Sequence, residues 1–210
     1  MSGGAPTAAP AASRCRRPAV RDNQPDPQLS ILQGLTNEVA ETHPDLVLWP
    51  ETAVPFFLLD SPHSGQLANI RRQIDTLGTT LLTGVPEIVR YKDEASAPRG
   101  SKRLSDGTFY QTFNGCVLID PEGGGVQTYE KMLLVPFAER VPFSDILTLL
   151  NAAKWNFGLG GWNVGKSPTV FHLKIRSVGE IKFSSMICYE TIFPGFVARF
   201  VRDGADFLTV

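Results

Sequence analysis

Apolar residues recur at helical spacing in two early stretches and cluster in short runs elsewhere, which predicts an alternation of helices and strands. Leu29, Leu32, Leu35 and Val39 share one face of a helix that Asp26-Pro27 can start and Pro44 stops, and the run 46–49 that follows is a short buried strand. Leu67, Ile70, Ile74 and Leu77 repeat the stripe up to Gly78, a C-cap residue, and the spacing then predicts a strand over 80–84. Two β-rich runs, 109–119 and 126–131, flank Pro121 and three consecutive glycines, which is the signature of a hairpin, so the sheet is expected to be mixed rather than purely parallel. The stretch 132–167 keeps no period and reads as a lid or binding loop. Strand character returns at 170–175 and 181–187. A helix is expected after Cys188 through Phe196, Val197, Phe200 and Val201 to Gly204, with a last strand at 207–210.

Composition narrows the class of protein. The chain has 210 residues, 42% of them hydrophobic, and a formal net charge of −1; it can bury a sizeable core and lacks the basic excess of a nucleic-acid-binding protein, so no nucleic acid is expected as a partner. The best candidates for a membrane span are interrupted by Glu51, Asp60, Glu139 and Arg140, well short of the ~18 consecutive apolar residues required. Cys15, Cys116 and Cys188 are an odd number at wide spacing, neither a disulfide framework nor a metal-ligand pattern, and neither a metal nor another cofactor is called for. Residues 1–27, rich in Ala, Pro, Gly and Ser with Arg14, Arg16, Arg17 and Arg21, are expected to be a disordered leader, and residues 28–210 the folded part.

Three strand-like runs end in residues with chemistry. Leu46 to Trp49 leads through Pro50 to Glu51, Tyr129-Glu130 precedes Lys131, and Met186-Ile187 precedes Cys188. Strand ends in layered α/β proteins project side chains from a rigid sheet into a shared crevice, so the three can converge although most of the chain separates them. Cys188, between a strand and a helix start, suits a thiolate stabilised by backbone N–H groups, or else is a buried structural cysteine. Glu51 suits a half-buried general base or a helix N-terminal acid. Lys131 suits an oxyanion partner or a solvated edge lysine. Cys116, within a hairpin strand, reads as structural. His43, His63 and His172 fit no metal or catalytic-triad spacing.

Leu48-Trp-Pro-Glu51, the block from Tyr129 through Lys131 to Leu-Val-Pro-Phe-Ala-Glu139-Arg-Val-Pro-Phe143, and Ile187-Cys188-Tyr189-Glu190 together resemble the three catalytic blocks of the carbon–nitrogen hydrolase (nitrilase) superfamily. Within it they are most similar to the apolipoprotein N-acyltransferases, through the continuation after the lysine and the Ile-Phe-Pro that follows Cys-Tyr-Glu. The resemblance covers about residues 28–210. It implies a four-layer α-β-β-α sandwich with Glu51, Lys131 and Cys188 as catalytic residues and Glu139, Tyr189 and Glu190 in support. It also implies a reaction in which Cys188 takes an acyl group from a phospholipid as a thioester and passes it to the N-terminal amine of a diacylglyceryl-cysteine apolipoprotein. The family works at the periplasmic side of the bacterial inner membrane. The block 133–143, with Trp155 and Trp162, could offer the apolar surface for acyl chains.

The family pattern places membrane helices before and after this domain, and the 210 residues contain neither. The opening strand is replaced by the Arg/Pro-rich leader, and the chain halts in a strand where the family continues. A fragment truncated at both ends is therefore expected. Two alternatives remain open at the level of sequence: a soluble nitrilase-type amidase that hands the acyl group to water, and an inactive truncated product.

Overall fold

The computed structural model describes residues 26–121, 123–136, 138–139 and 161–210. Helix α1 (Pro27–Glu38) opens on Asp26, whose carboxylate accepts the N–H groups of Gln28 and Leu29 at 2.9 and 3.1 Å while Pro27 occupies the first turn; proline there forfeits no helical hydrogen bond. A short 3-10 turn leads to β1 (Leu46–Leu48), which pairs parallel with β2 (Thr80–Tyr91). Between them lies α2 (Ser64–Leu77), ended by Gly78 in the left-handed conformation. Strand β2 runs seven residues beyond the expected 80–84, because Pro86 to Tyr91 continue the antiparallel ladder with β4 (Phe109–Ile119). Periodicity could not show this, since pairing to a long partner carries that half of the strand.

Strand β4 is the backbone of the larger sheet. One edge pairs with β2; the other pairs first with the two-residue β3 (Lys102–Arg103) and then with β5 (Val126–Glu130), the second arm of the expected hairpin. A smaller sheet joins β6 (Phe171–Ile175), β7 (Gly179–Ser185) and β8 (Phe207–Thr209) in the order β6-β7-β8, antiparallel and then parallel. The helix expected directly after Cys188 starts later. Cys188–Ile192 form a 3-10 turn, Phe193 is extended, and α3 (Pro194–Arg202) begins at Pro194, because a proline excludes the helical conformation from the residue before it.

Strand alternation sends side chains of the larger sheet to two cores. Leu81, Val85, Val117 and Ile119 face α1 and α2 and pack with Leu29, Trp49, Leu58, Ile70 and Ile74. Leu82, Cys116, Leu118 and Tyr129 face the other way, onto Phe171, Leu173 and Phe183 of the smaller sheet and Phe200 of α3. Both faces of the larger sheet are thus covered, the arrangement of an α/β sandwich. Ile70 and Ile74 have no exposed surface, so truncating either to Ala costs about 2–5 kcal/mol. No helix among the described residues is long and apolar enough to cross a membrane.

Candidate active site

Glu51 sits on a turn pinned to β2 at both ends. The N–H of Trp49 donates to the carbonyl of Leu82 at 2.9 Å and that of Val54 to the carbonyl of Gly84 at 3.2 Å. The indole of Trp49 donates to Thr36 Oγ1 at 2.9 Å, tying the same turn to α1. Thr52 takes a positive φ of 54°, uncommon for a β-branched residue and a sign that the surroundings dictate the turn. Gly84 lets the turn lie flat on the sheet: a Cβ there would stand 2.7 Å from the Glu51 Cα, the Pro50 oxygen and the Thr52 nitrogen. The Glu51 side chain remains 35% exposed, and no helix follows it, so it is not a helix N-terminal acid.

Lys131 directly follows β5 and is fully buried. Its ammonium donates to Glu139 Oε1 at 2.8 Å and lies 3.3 Å from Glu51 Oε1. Burial by itself pulls the ammonium towards neutrality, but the hydrogen bond to Glu139 and the charges of Glu51 and Glu139 outweigh it, and the pKa ends above the ordinary lysine value. It is not a solvated edge lysine. Glu139 is fixed in turn, because its Oε2 accepts the N–H of Val135 at 2.8 Å and its carbonyl accepts the N–H of Trp162 at 3.4 Å. Asn114, on β4, donates from Nδ2 to Glu51 Oε1 at 2.7 Å and to Glu139 Oε1 at 3.3 Å. The reading of the sequence missed Asn114. The signal was a polar Asn followed by Gly inside the apolar run 113–119, where a buried amide requires partners.

Glu190 carries out a separate task. Its side chain is fully buried and accepts four hydrogen bonds: from the Tyr129 hydroxyl at 2.8 Å and the N–H groups of Met132 and Leu133 at 2.7 and 3.1 Å on Oε1, and from the N–H of Ile187 at 2.8 Å on Oε2. One carboxylate thereby ties the segment leaving Lys131 to the residue before Cys188. Burial, and next the charge of Glu190, push the Tyr129 hydroxyl above its ordinary range, so it serves as a neutral donor. Gly165 closes the other side of this segment: its N–H donates to the Lys131 carbonyl at 2.9 Å, and a Cβ there would clash with the Glu130 carbonyl oxygen.

Cys188 opens the 3-10 turn with φ of 50° and is exposed. A non-glycine residue in that conformation after a strand presents its side chain clear of the sheet, and such outliers gather at functional positions. Structural burial is thereby excluded for Cys188 and found instead for Cys116, whose thiol burial pushes up to about 12. Glu51, Gly84, Gly115, Cys116, Ile187 and Cys188 line one small cavity of about 70 Å³. That volume is enough for a reacting carbonyl. Tyr189 packs edge-on against Phe193, ring centroids 5.1 Å apart, outside these hydrogen-bond networks. Of the apolar surface expected for acyl chains, Phe137, Phe143 and Trp155 lie outside the described residues, as does the expected leader up to residue 25. Among the described residues no group of His, Cys, Asp and Glu is placed to hold a metal ion.

The carbon–nitrogen hydrolase family model matches residues 11–210. This chain belongs to the carbon–nitrogen hydrolase family. Among curated members it is 38% identical over 188 residues to the apolipoprotein N-acyltransferase of Chlorobaculum tepidum, a match that takes in 89% of this chain and 35% of the relative. It is 35% identical over 188 residues to the apolipoprotein N-acyltransferase of Pseudomonas aeruginosa strain LESB58, covering 90% of this chain and 32% of the relative. The chain spans about a third of the length of these relatives. The crystal structure of an amidase from Nesterenkonia sp. superposes with a TM-score of 0.53 at 20% identity, covering 87% of this chain and 58% of the amidase, which agrees with the α/β sandwich of the family.

Proposed function

We propose that this chain carries the acyl-transfer site of an apolipoprotein N-acyltransferase. The observation behind the reading is that an exposed thiol, Cys188, and a carboxylate, Glu51, line one cavity, and that the carboxylate is held by a buried ammonium. Glu51 Oε1 is engaged by Lys131 and Asn114, while Oε2 accepts no hydrogen bond from the described residues. In this reading Oε2 takes the Cys188 proton as the sulfur attacks an ester carbonyl of a phospholipid such as phosphatidylethanolamine. Lys131, with two of its three N–H donors on carboxylates, and a backbone N–H beside the nucleophile stabilise the oxyanion. The C–O bond to the leaving glycerol oxygen breaks, the proton on Glu51 passes to that oxygen, and a lyso-phospholipid departs from an acyl-Cys188 thioester. The α-amine of a diacylglyceryl-cysteine then attacks the thioester, losing a proton to Glu51, and the thiol is restored. Glu139 and Glu190 hold the machinery in place, and the membrane is the source of the donor.

The test is intact-mass analysis of the chain after incubation with phosphatidylethanolamine vesicles. A hydroxylamine-labile acyl adduct on Cys188, absent in Cys188→Ala and in Glu51→Gln, is the expected result. Hydrolysis of small amides with no lipid-derived adduct would point to amidase chemistry and overturn the proposal.

A further inference from the structure

We infer that Asn114 is a positioning residue for the Glu51 carboxylate, an inference that rests on the acyl-transfer reading of the same site. Four atoms form a closed ring of alternating donors and acceptors: Glu51 Oε1, Lys131 Nζ, Glu139 Oε1 and Asn114 Nδ2, linked at 3.3, 2.8, 3.3 and 2.7 Å in that order. Two carboxylates share a single ammonium, so Lys131 balances only one of the two negative charges. The amide of Asn114 supplies donors to the same two oxygens and limits their mutual repulsion. Without it, one carboxylate could relieve the repulsion by swinging away or taking a proton, and Glu51, on an exposed turn, is the freer of the two.

The amide is fixed in one orientation. Turning it over would place Oδ1 against two carboxylate oxygens at 2.7 and 3.3 Å, acceptor against acceptor. In the orientation it keeps, Oδ1 is buried and accepts nothing from the described residues, while the residue as a whole is 4% exposed. A side chain present only to fill the sheet interface would not leave an acceptor unmatched, so the placement follows from the two donors. The main chain acts with the side chain: the Asn114 carbonyl accepts the N–H of Lys131 at 2.8 Å, and Asn114 is paired with Pro86 inside the ladder of β2 and β4. A rigid strand therefore sets the position of both the ammonium and the base. The charged groups facing Glu51 in the ring are Lys131, directly after β5, and Glu139 from the segment beyond it, with the neutral amide from β4 completing it.

The test reads the pH dependence of Cys188 alkylation by iodoacetamide, followed by peptide mapping, a readout that needs no lipid substrate. In the wild-type chain the rate falls on the acid side, and Glu51→Gln removes that limb. Removing the donor in Asn114→Ala frees the carboxylate from its place beside Lys131, and the acid limb moves up, with roughly a 10-fold slower reaction near neutrality. Asn114→Asp keeps the shape but replaces the donor with a third carboxylate, and the limb moves further in the same direction. A wild-type acid limb in folded Asn114→Ala or in Asn114→Asp overturns the inference. If Glu51→Gln leaves the wild-type limb intact, the limb does not report Glu51 and the inference falls with it. Absence of the lipid adduct in the wild-type chain alongside a shifted limb in Asn114→Ala would instead count against the lipid substrate and leave the role of Asn114 standing.

Discussion

Replacing Gly84 by Ala tests whether the placement of Glu51 depends on the close approach of its turn to β2. The added Cβ would stand 2.7 Å from three backbone atoms of residues 50–52. None of these is the flexible end of a side chain. Strand β2 cannot retreat, because Leu82 is paired with β1 on one side and with β4 on the other. The turn must move, and bringing the contacts from 2.7 Å to an ordinary 3.4 Å shifts the Glu51 backbone by about 0.7 Å. Overpacking of this kind costs about 1–3 kcal/mol. A displacement of that size also breaks the register of Glu51 with Lys131 and Asn114, and misplacement by about 1 Å can cost on the order of 100-fold in rate. We expect Gly84→Ala to unfold at lower urea concentration and to form the Cys188 adduct 10- to 100-fold more slowly, in line with those principles. Gly34→Ala provides the contrast: nothing lies within 4 Å of its Cβ position inside α1, so Ala there should raise stability by about 0.5–1 kcal/mol. An unfolding midpoint and an adduct rate in Gly84→Ala equal to those of the wild type would refute the steric reasoning.

Other expectations follow from groups around the site. Glu190→Gln replaces an acceptor of four hydrogen bonds with a group that must turn an NH₂ towards some of the same donors; a loss of about 2–4 kcal/mol is expected in urea unfolding, and a change below 0.5 kcal/mol would contradict it. Iodoacetamide at pH 7.5 should label Cys188 and spare Cys116, whose burial raises its thiol to about 12; peptide mapping with equal labelling of the two would show that the inter-sheet core opens readily. Glu130 is pushed up to about 7 from 4.5, chiefly by burial and then by the charge of Glu87. Because its folded pKa lies above the unfolded one, its contribution is fully favourable below pH 4.5 and is lost as pH rises through 7. Glu130→Gln should therefore be more stable than wild type by about 1–3 kcal/mol at pH 8, with no difference near pH 4, and a gain independent of pH would exclude this cause.

Local pattern determined much of this protein. The caps Asp26 and Gly78, the stripes of α1 and α2, the hairpin of β4 and β5, and the three motifs ending in Glu51, Lys131 and Cys188 were legible because each rests on residues close together in the chain, where sterics and periodicity act directly. Three features were not. The continuation of β2 to Tyr91 depends on pairing with β4, and the postponed start of α3 is set by Pro194 acting on a residue whose apolar pattern looked helical. The ring joining Glu51, Lys131, Glu139 and Asn114 draws on residues from four parts of the chain. Sequence identified a glutamate, a lysine and a cysteine, each compatible with a structural role. Only the tertiary structure decided that Lys131 is fully buried, that Cys188 rather than Cys116 is exposed, and that Asn114 and Glu190 secure the parts to one another. The physical reason is that burial and hydrogen-bond partnership are properties of the packed sheets, fixed by residues far away in sequence, whereas the residue types that can carry chemistry are already written in the chain.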